Sequence, residues 1–81
     1  MSEYENRLNA IAEIAEYNFD ISDEKFGEKT RELRKLLGLT MREVSAKTNV
    51  TISTISKIEN GDMNCYLISY CRLKEFYIKY V

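Results

Sequence analysis

The stretch 39–61, LTMREVSAKTNVTISTISKIENG, constrains the fold more than any other part of the chain, because it marks two helix starts and two helix ends. Thr40 is a candidate N-cap with Glu43 three residues on. In that pairing the threonine hydroxyl accepts from the third helical amide while the glutamate reaches back to the amide of the cap. Leu39 and Val44 bracket the cap as an apolar staple, and the pattern repeats at Thr51, bracketed by Val50 and Ile55. Between the two units stands Asn49, and asparagine is the residue other than glycine that best tolerates the left-handed backbone of a helix terminus. Gly61 ends the second segment in the same way. The sequence therefore predicts two short helices joined by a tight turn.

The second of these helices turns Ile55 and Ile58 inward, with Val50 ahead of them, and leaves Ser53, Thr54, Ser56, Lys57 and Asn60 on its surface. An ordinary solvated face is the competing reading. Most such faces are rich in Glu and Lys, however, whereas Ser and Thr are mediocre helix formers. Short polar side chains with one cation suit hydrogen bonding to base edges and phosphates. A helix, a tight turn and a second, outward-reading helix make the unit that enters the DNA major groove.

Over residues 26–73 the chain resembles the Xre/Cro phage-repressor-like helix-turn-helix family. The resemblance is carried by Gly27-Glu28, Arg31-Glu32-Leu33-Arg34, Gly38-Leu39-Thr40, Arg42-Glu43-Val44, Val50-Thr51, the run Ser53 to Gly61 (STISKIENG), and Asn64 with Leu67. Four positions depart from the usual pattern. Met41 stands where the family carries Gln, Ser45 where it carries Ala, Asn49 where it carries Gly, and Cys65 where Pro often opens the next helix. Met41 removes a polar side chain that relatives use against the DNA backbone.

The resemblance implies an all-α, repressor-like helix-turn-helix domain with residues 51–60 as its recognition helix. On that helix Ile52, Ser53 and Lys57 occupy the positions at base edges: Ile52 against a thymine methyl, Ser53 as donor or acceptor, Lys57 toward guanine acceptors. Thr40, Arg42, Thr54 and Asn60 fall at phosphate contacts, aided by helix N-termini, and Thr51 and Ser56 complete the DNA-facing set. The resemblance also implies that Arg34 pairs with Glu59 behind this surface, fixing the orientation of the reading helix. The implied partner is double-stranded DNA with an inverted-repeat operator, met by a homodimer at least on DNA, and the implied role is a small repressor-type regulator of transcription. Members of the same group also act as antitoxin or antirepressor-like protein-binding modules, which is the rival expectation.

Composition fits that picture. A chain of 81 residues with 44% hydrophobic residues and no proline predicts one small helical domain whose core is marginal and gains from dimerisation. The formal net charge is −1. Residues 1–25 carry seven acids against two bases, whereas residues 26–81 carry ten bases against six acids, so an acidic arm (−5) precedes a basic domain (+4). Such asymmetry suits a chain of which only part meets nucleic acid. Cys65 and Cys71, read as six apart on one helix, do not form a disulfide and suggest a reducing, cytoplasmic setting. No run predicts a membrane span or a signal peptide.

The remaining segments are read as helices. Residues 4–17 place Tyr4, Leu8, Ile11, Ala12 and Ala15, widened by Ile14, on one face of an extra N-terminal amphipathic helix. Its stripe must pack on its own domain, on a second copy or on another protein. With its connection it makes a segment 1–21 ahead of the domain 22–81. Ser22, with Asp23 and Glu24 behind it and Ile21 and Phe26 as staple, is a candidate cap for a helix running to about Leu37 and stopped by Gly38. Phe26, Thr30, Leu33 and Leu37 form its inward face. Asn64 is a candidate cap for a last helix from Cys65 to about Tyr80, rich in tyrosine and so a possible contact surface for a partner. The total is about five helices.

No chemistry of catalysis is legible. The chain has no histidine, no glycine-rich phosphate loop and no zinc-type ligand spacing. The expectation is therefore no enzyme, no metal and no cofactor.

Overall fold

The computed structural model describes residues 20–79. Among them are four α-helices and no strand: α1 (Phe26–Leu36), α2 (Met41–Thr48), α3 (Ile52–Glu59) and α4 (Leu67–Ile78). The proposed helix over 4–17 lies outside the described residues, as do Tyr80 and Val81.

Local signals place the middle of the fold. Glu43 N–H donates to Thr40 Oγ1 and Thr40 N–H donates to Glu43 Oε1, both at 3.1 Å, which closes the reciprocal cap of α2. Thr51 Oγ1 accepts from Thr54 N–H at 3.2 Å at the start of α3. Asn49 ends α2 at φ 62°, its amide on Ser45 O. Gly61 sits at φ 89°, with its amide on Ile58 O (3.0 Å) and that of Asp62 on Lys57 O (3.0 Å), a six-to-one closure of α3. Gly38, at φ 69°, closes α1 in the same way through Lys35 O and through Leu39 N–H on Arg34 O. Replacing Asn49 with alanine puts a Cβ without a helpful side chain into a left-handed backbone, and should cost about 1 kcal/mol. A thermal melt should show it as a fall of a few degrees, and Asn49→Gly should show none.

Two helix starts differ from expectation. Ser22 does not cap α1. Its amide and hydroxyl both donate to Asp20 Oδ1 at 2.9 Å, and α1 begins at Phe26 behind Lys25, which makes no side-chain cap bond. Asp23 serves the opening turn instead: it accepts Lys25 N–H on Oδ1 (2.8 Å), Phe26 N–H on its carbonyl (2.9 Å) and the Lys29 ammonium on Oδ2 (2.8 Å). The Lys29 contact first, then the Lys25 amide, holds the Asp23 carboxyl below its ordinary pKa. With Lys25 at the cap, Ile21 and Phe26 no longer have staple spacing, although Phe26 is in the core and Ile21 packs against it, partly buried.

Asn64 likewise does not cap α4, which starts at Leu67 rather than Cys65. The amide of Asn64 is taken by Asp62 Oδ1 (2.8 Å) and that of Cys65 by the Tyr70 hydroxyl (3.3 Å), which itself donates to Asp62 O (2.7 Å). The loop is thus folded over Tyr70 before the helix begins. Cys65 belongs to this loop and Cys71 to the helix, and both are free thiols.

The core is one cluster: Phe26 and Leu33 of α1, Val44 of α2, Val50 of the turn, Ile55 and Ile58 of α3, and Tyr70, Leu73 and Tyr77 of α4. Leu37 and Leu39 are half-buried against it. Thr30 is buried among these residues because its hydroxyl donates to Gly27 O at 2.8 Å. α1 and α3 pack closely at Gly27, where a side chain would collide with the carbonyl of Ile58.

Candidate nucleic-acid interface

The core burial of Ile55 and Ile58 fixes which side of α3 meets solvent. On that side Ser53, Lys57 and Asn60 are exposed, Thr54 and Ser56 are half-buried, and Ile52 is 43% exposed. An isoleucine left that open at the first turn of a helix is a cost in water and a fitting surface for a thymine methyl. Thr40, Arg42 and Thr51 are exposed at the N-terminal ends of α2 and α3. The nine residues named for the surface thus lie on two elements joined by a turn of fixed backbone.

Several of the hydroxyls are already committed. Thr51 Oγ1 accepts the Thr54 amide and donates to Thr54 Oγ1 at 2.9 Å. This leaves the Thr54 proton available to an outside acceptor and makes Thr51 chiefly a cap. Asn60 Nδ2 reaches Ser56 Oγ at 3.5 Å, so these two side chains share one position on the helix face. Lys57 makes no side-chain hydrogen bond or ion pair among the described residues, and neither does Arg42. These two cations are free to reach a polyanion. Glu43, next to Arg42 in the first turn of α2, is tied to the cap.

Behind the surface, Arg34 joins three elements. Its Nε donates to Glu59 Oε2 at 2.8 Å, Nη2 to Glu59 Oε1 at 3.0 Å and Nη1 to Leu39 O at 3.0 Å. The side chains are only 13% and 2% exposed. The hydrogen bond to Glu59 raises the guanidinium above its ordinary pKa. This fork ties the C-terminal end of α3 to α1 and to the turn before α2. The contact to Leu39 was not legible in the sequence, nor was that of Arg72, whose Nη1 lies 3.4 Å from Asn49 O at the αL turn. Side-chain contacts to a distant backbone carbonyl leave no local pattern.

Among the described residues no group of three His, Cys, Asp or Glu side chains could hold a metal ion, and no helix is long and apolar enough to cross a membrane. Comparison with curated proteins and with solved structures gave no match. Residues 31–64, from α1 through α3 into the loop, match a family model described as helix-turn-helix. The match falls on the segment that carries the resemblance to the Xre/Cro-type helix-turn-helix family, a DNA-binding class, and covers 34 of the 81 residues.

Proposed function

We propose that the protein is a sequence-specific regulator of transcription, of the small repressor type, that reads an inverted-repeat operator as a pair of copies. The observation that carries this is the exposed face of α3, where Ile52, Ser53 and Lys57 stand outward while Ile55 and Ile58 anchor the helix beneath them. In this reading Ile52, Ser53 and Lys57 contact base edges. Thr40, Arg42, Thr54 and Asn60 contact phosphates, and Thr51 and Ser56 shape the face between them. Arg34 and Glu59 hold the reading helix at its angle. In this reading residues 22–81 are the reading domain and residues 1–21 the acidic segment ahead of it in the chain, with Ile21 packed against the core of the domain. The two free thiols fit the reducing compartment where DNA is met.

One recognition helix spans too few base pairs for a unique site, so two copies related by a two-fold axis double the sequence read. Half-sites should then lie about one helical turn, roughly 34 Å, apart. Selection from a random duplex pool, followed by footprinting and stoichiometry on the selected site, tests this. Two protected half-sites are expected, with binding that weakens as salt rises. On that site Lys57→Ala should weaken binding by roughly 1–3 kcal/mol and relax preference at one base pair, with folding unchanged. Uniform weakening across all sequences would instead make Lys57 a phosphate contact. A single copy bound at full affinity to an asymmetric site would refute the paired reading.

The antitoxin or antirepressor-like alternative has one observation in its favour: Met63, Tyr66, Leu67 and Ile68 are 52–85% exposed just beyond the recognition helix. Loss of all salt-dependent duplex binding would favour it.

A further inference from the structure

Of the six large apolar side chains left exposed among the described residues, Ile52 stands on the face proposed to meet DNA. The other five, Met63, Tyr66, Leu67, Ile68 and Ile78, lie on α4 or just before it. Within α4, Leu67, Cys71, Lys74 and Ile78 follow one another at steps of four, three and four residues, so they form one row beside the buried Tyr70 and Tyr77. Leu67 is 66% and Ile78 44% exposed, Cys71 is an exposed thiol and Lys74 is half-buried. An open apolar row of this kind marks a place where another segment packs. The described chain starts next to it. The amide and hydroxyl of Ser22, with a smaller contribution from the Lys74 ammonium, hold the Asp20 carboxyl below its ordinary pKa. Ile21 packs, partly buried, against the core to which Tyr70, Leu73 and Tyr77 belong. Residues 1–19 therefore join the domain beside the middle of α4.

The apolar stripe read in residues 4–17 has the same spacing: Tyr4, Leu8, Ile11 and Ala15 also follow at four, three and four. The charges are opposite in sign. Residues 1–19 carry four acids, Glu3, Glu5, Glu13 and Glu16, against the one base Arg7, while α4 with its C-cap carries Arg72, Lys74 and Lys79 against Glu75. The lengths also agree. A helix over 4–17 would be about 21 Å long, and the run of α4 from Lys74 back to Leu67 takes up about 10 Å of it, with the rest directed toward Tyr66. Only residues 18 and 19 separate that stripe from Asp20, so it is held over the row at high effective concentration, and a foreign partner would have to displace it. We propose that the apolar stripe of residues 4–17 docks on the Leu67–Cys71–Ile78 row of α4 in its own domain, with the acids of the segment near the cations of α4. The proposal is independent of the DNA reading. It makes the segment ahead of the domain a built-in cover for apolar surface that the antitoxin-like alternative would offer to a partner.

The thiol of Cys71 reports on the cover. In the full chain with Cys65→Ser, maleimide labelling of Cys71 would be followed in three forms: with the stripe intact, with Leu8→Glu/Ile11→Glu on the stripe, and with Asn6→Glu/Asn9→Glu, which adds the same charge off the stripe. Circular dichroism sets a labelling temperature at which every form is folded. With the stripe intact, or with charge added off it, Cys71 should react at least about tenfold more slowly than in the Leu8→Glu/Ile11→Glu chain. Ile11→Ala, a milder change that adds no charge, should release the thiol in part. The slow rate should be the same at every protein concentration. Equal rates in all forms would mean that the row is open or is covered by something other than the stripe, and would overturn the proposal. So would release by Asn6→Glu/Asn9→Glu, which would make the effect one of charge alone. Protection that disappears on dilution would place a second copy on the row and would overturn it as well. Duplex binding is not the readout, so a failure of the DNA reading leaves each of these outcomes unchanged.

Discussion

Gly27→Ala should destabilise the protein by about 3 kcal/mol or more, an overpacking at the upper end of the usual range. Helix propensity alone points the other way, since alanine in a helix interior is favoured over glycine by about 1 kcal/mol. The tertiary contact decides the sign. Gly27 lies buried in α1 directly against the backbone of α3, and an added Cβ would overlap Ile58 O. No side chain can swing away, because the obstacle is a carbonyl of the helix that carries Ile55 and Ile58. The two helices would have to separate, loosening Phe26, Leu33 and both isoleucines. For a domain of this size the midpoint of thermal unfolding should fall by roughly 12 °C or more. A midpoint unchanged or raised would show that the α1–α3 crossing relaxes cheaply. The recognition helix is one of the two partners at this crossing, so any variant that folds should also bind duplex more weakly.

Glu59→Ala should cost about 3 kcal/mol, as expected for removal of one partner from a largely buried pair. Ser56→Ala, on the same helix, should stay within about 0.5 kcal/mol. The difference comes from exposure. A surface pair contributes about 0–1 kcal/mol, but here the Glu59 side chain is 2% exposed and that of Arg34 13%. Without the carboxylate, Arg34 keeps only the Leu39 carbonyl and is left as a partly buried cation. Arg34→Ala should be at least as harmful, because Glu59 is then the buried charge without its fork. Thermal melts of the three variants under one set of conditions decide the matter. Equal midpoints for Glu59→Ala and Ser56→Ala would mean that the pair is solvated and contributes little. Because the fork ties the end of α3 to α1, duplex affinity should fall for Glu59→Ala even well below its melting temperature.

The sequence by itself determined the centre of the molecule. The cap at Thr40, the left-handed turn at Asn49, the cap at Thr51 and the stop at Gly61 depend on groups within a few residues of one another. Such interactions form whatever the rest of the chain does, so the boundaries of α2 and α3 and the outward face of 51–60 were legible before any coordinates. The tertiary structure alone decided the rest. Ser22 and Asn64 have the chemistry of caps, but Asp20 and Asp62 take the local amides first, and α1 and α4 start where Phe26 and Tyr70 reach the core. The need for glycine at 27 depends on a carbonyl 31 positions away at Ile58, and the loop of 62–65 is held by the hydroxyl of Tyr70, which serves the core with its ring and the loop with its oxygen. Local rules rank which residues can cap or turn. Only packing fixes which candidate is used, because burying one more core side chain outweighs the choice between two neighbouring caps.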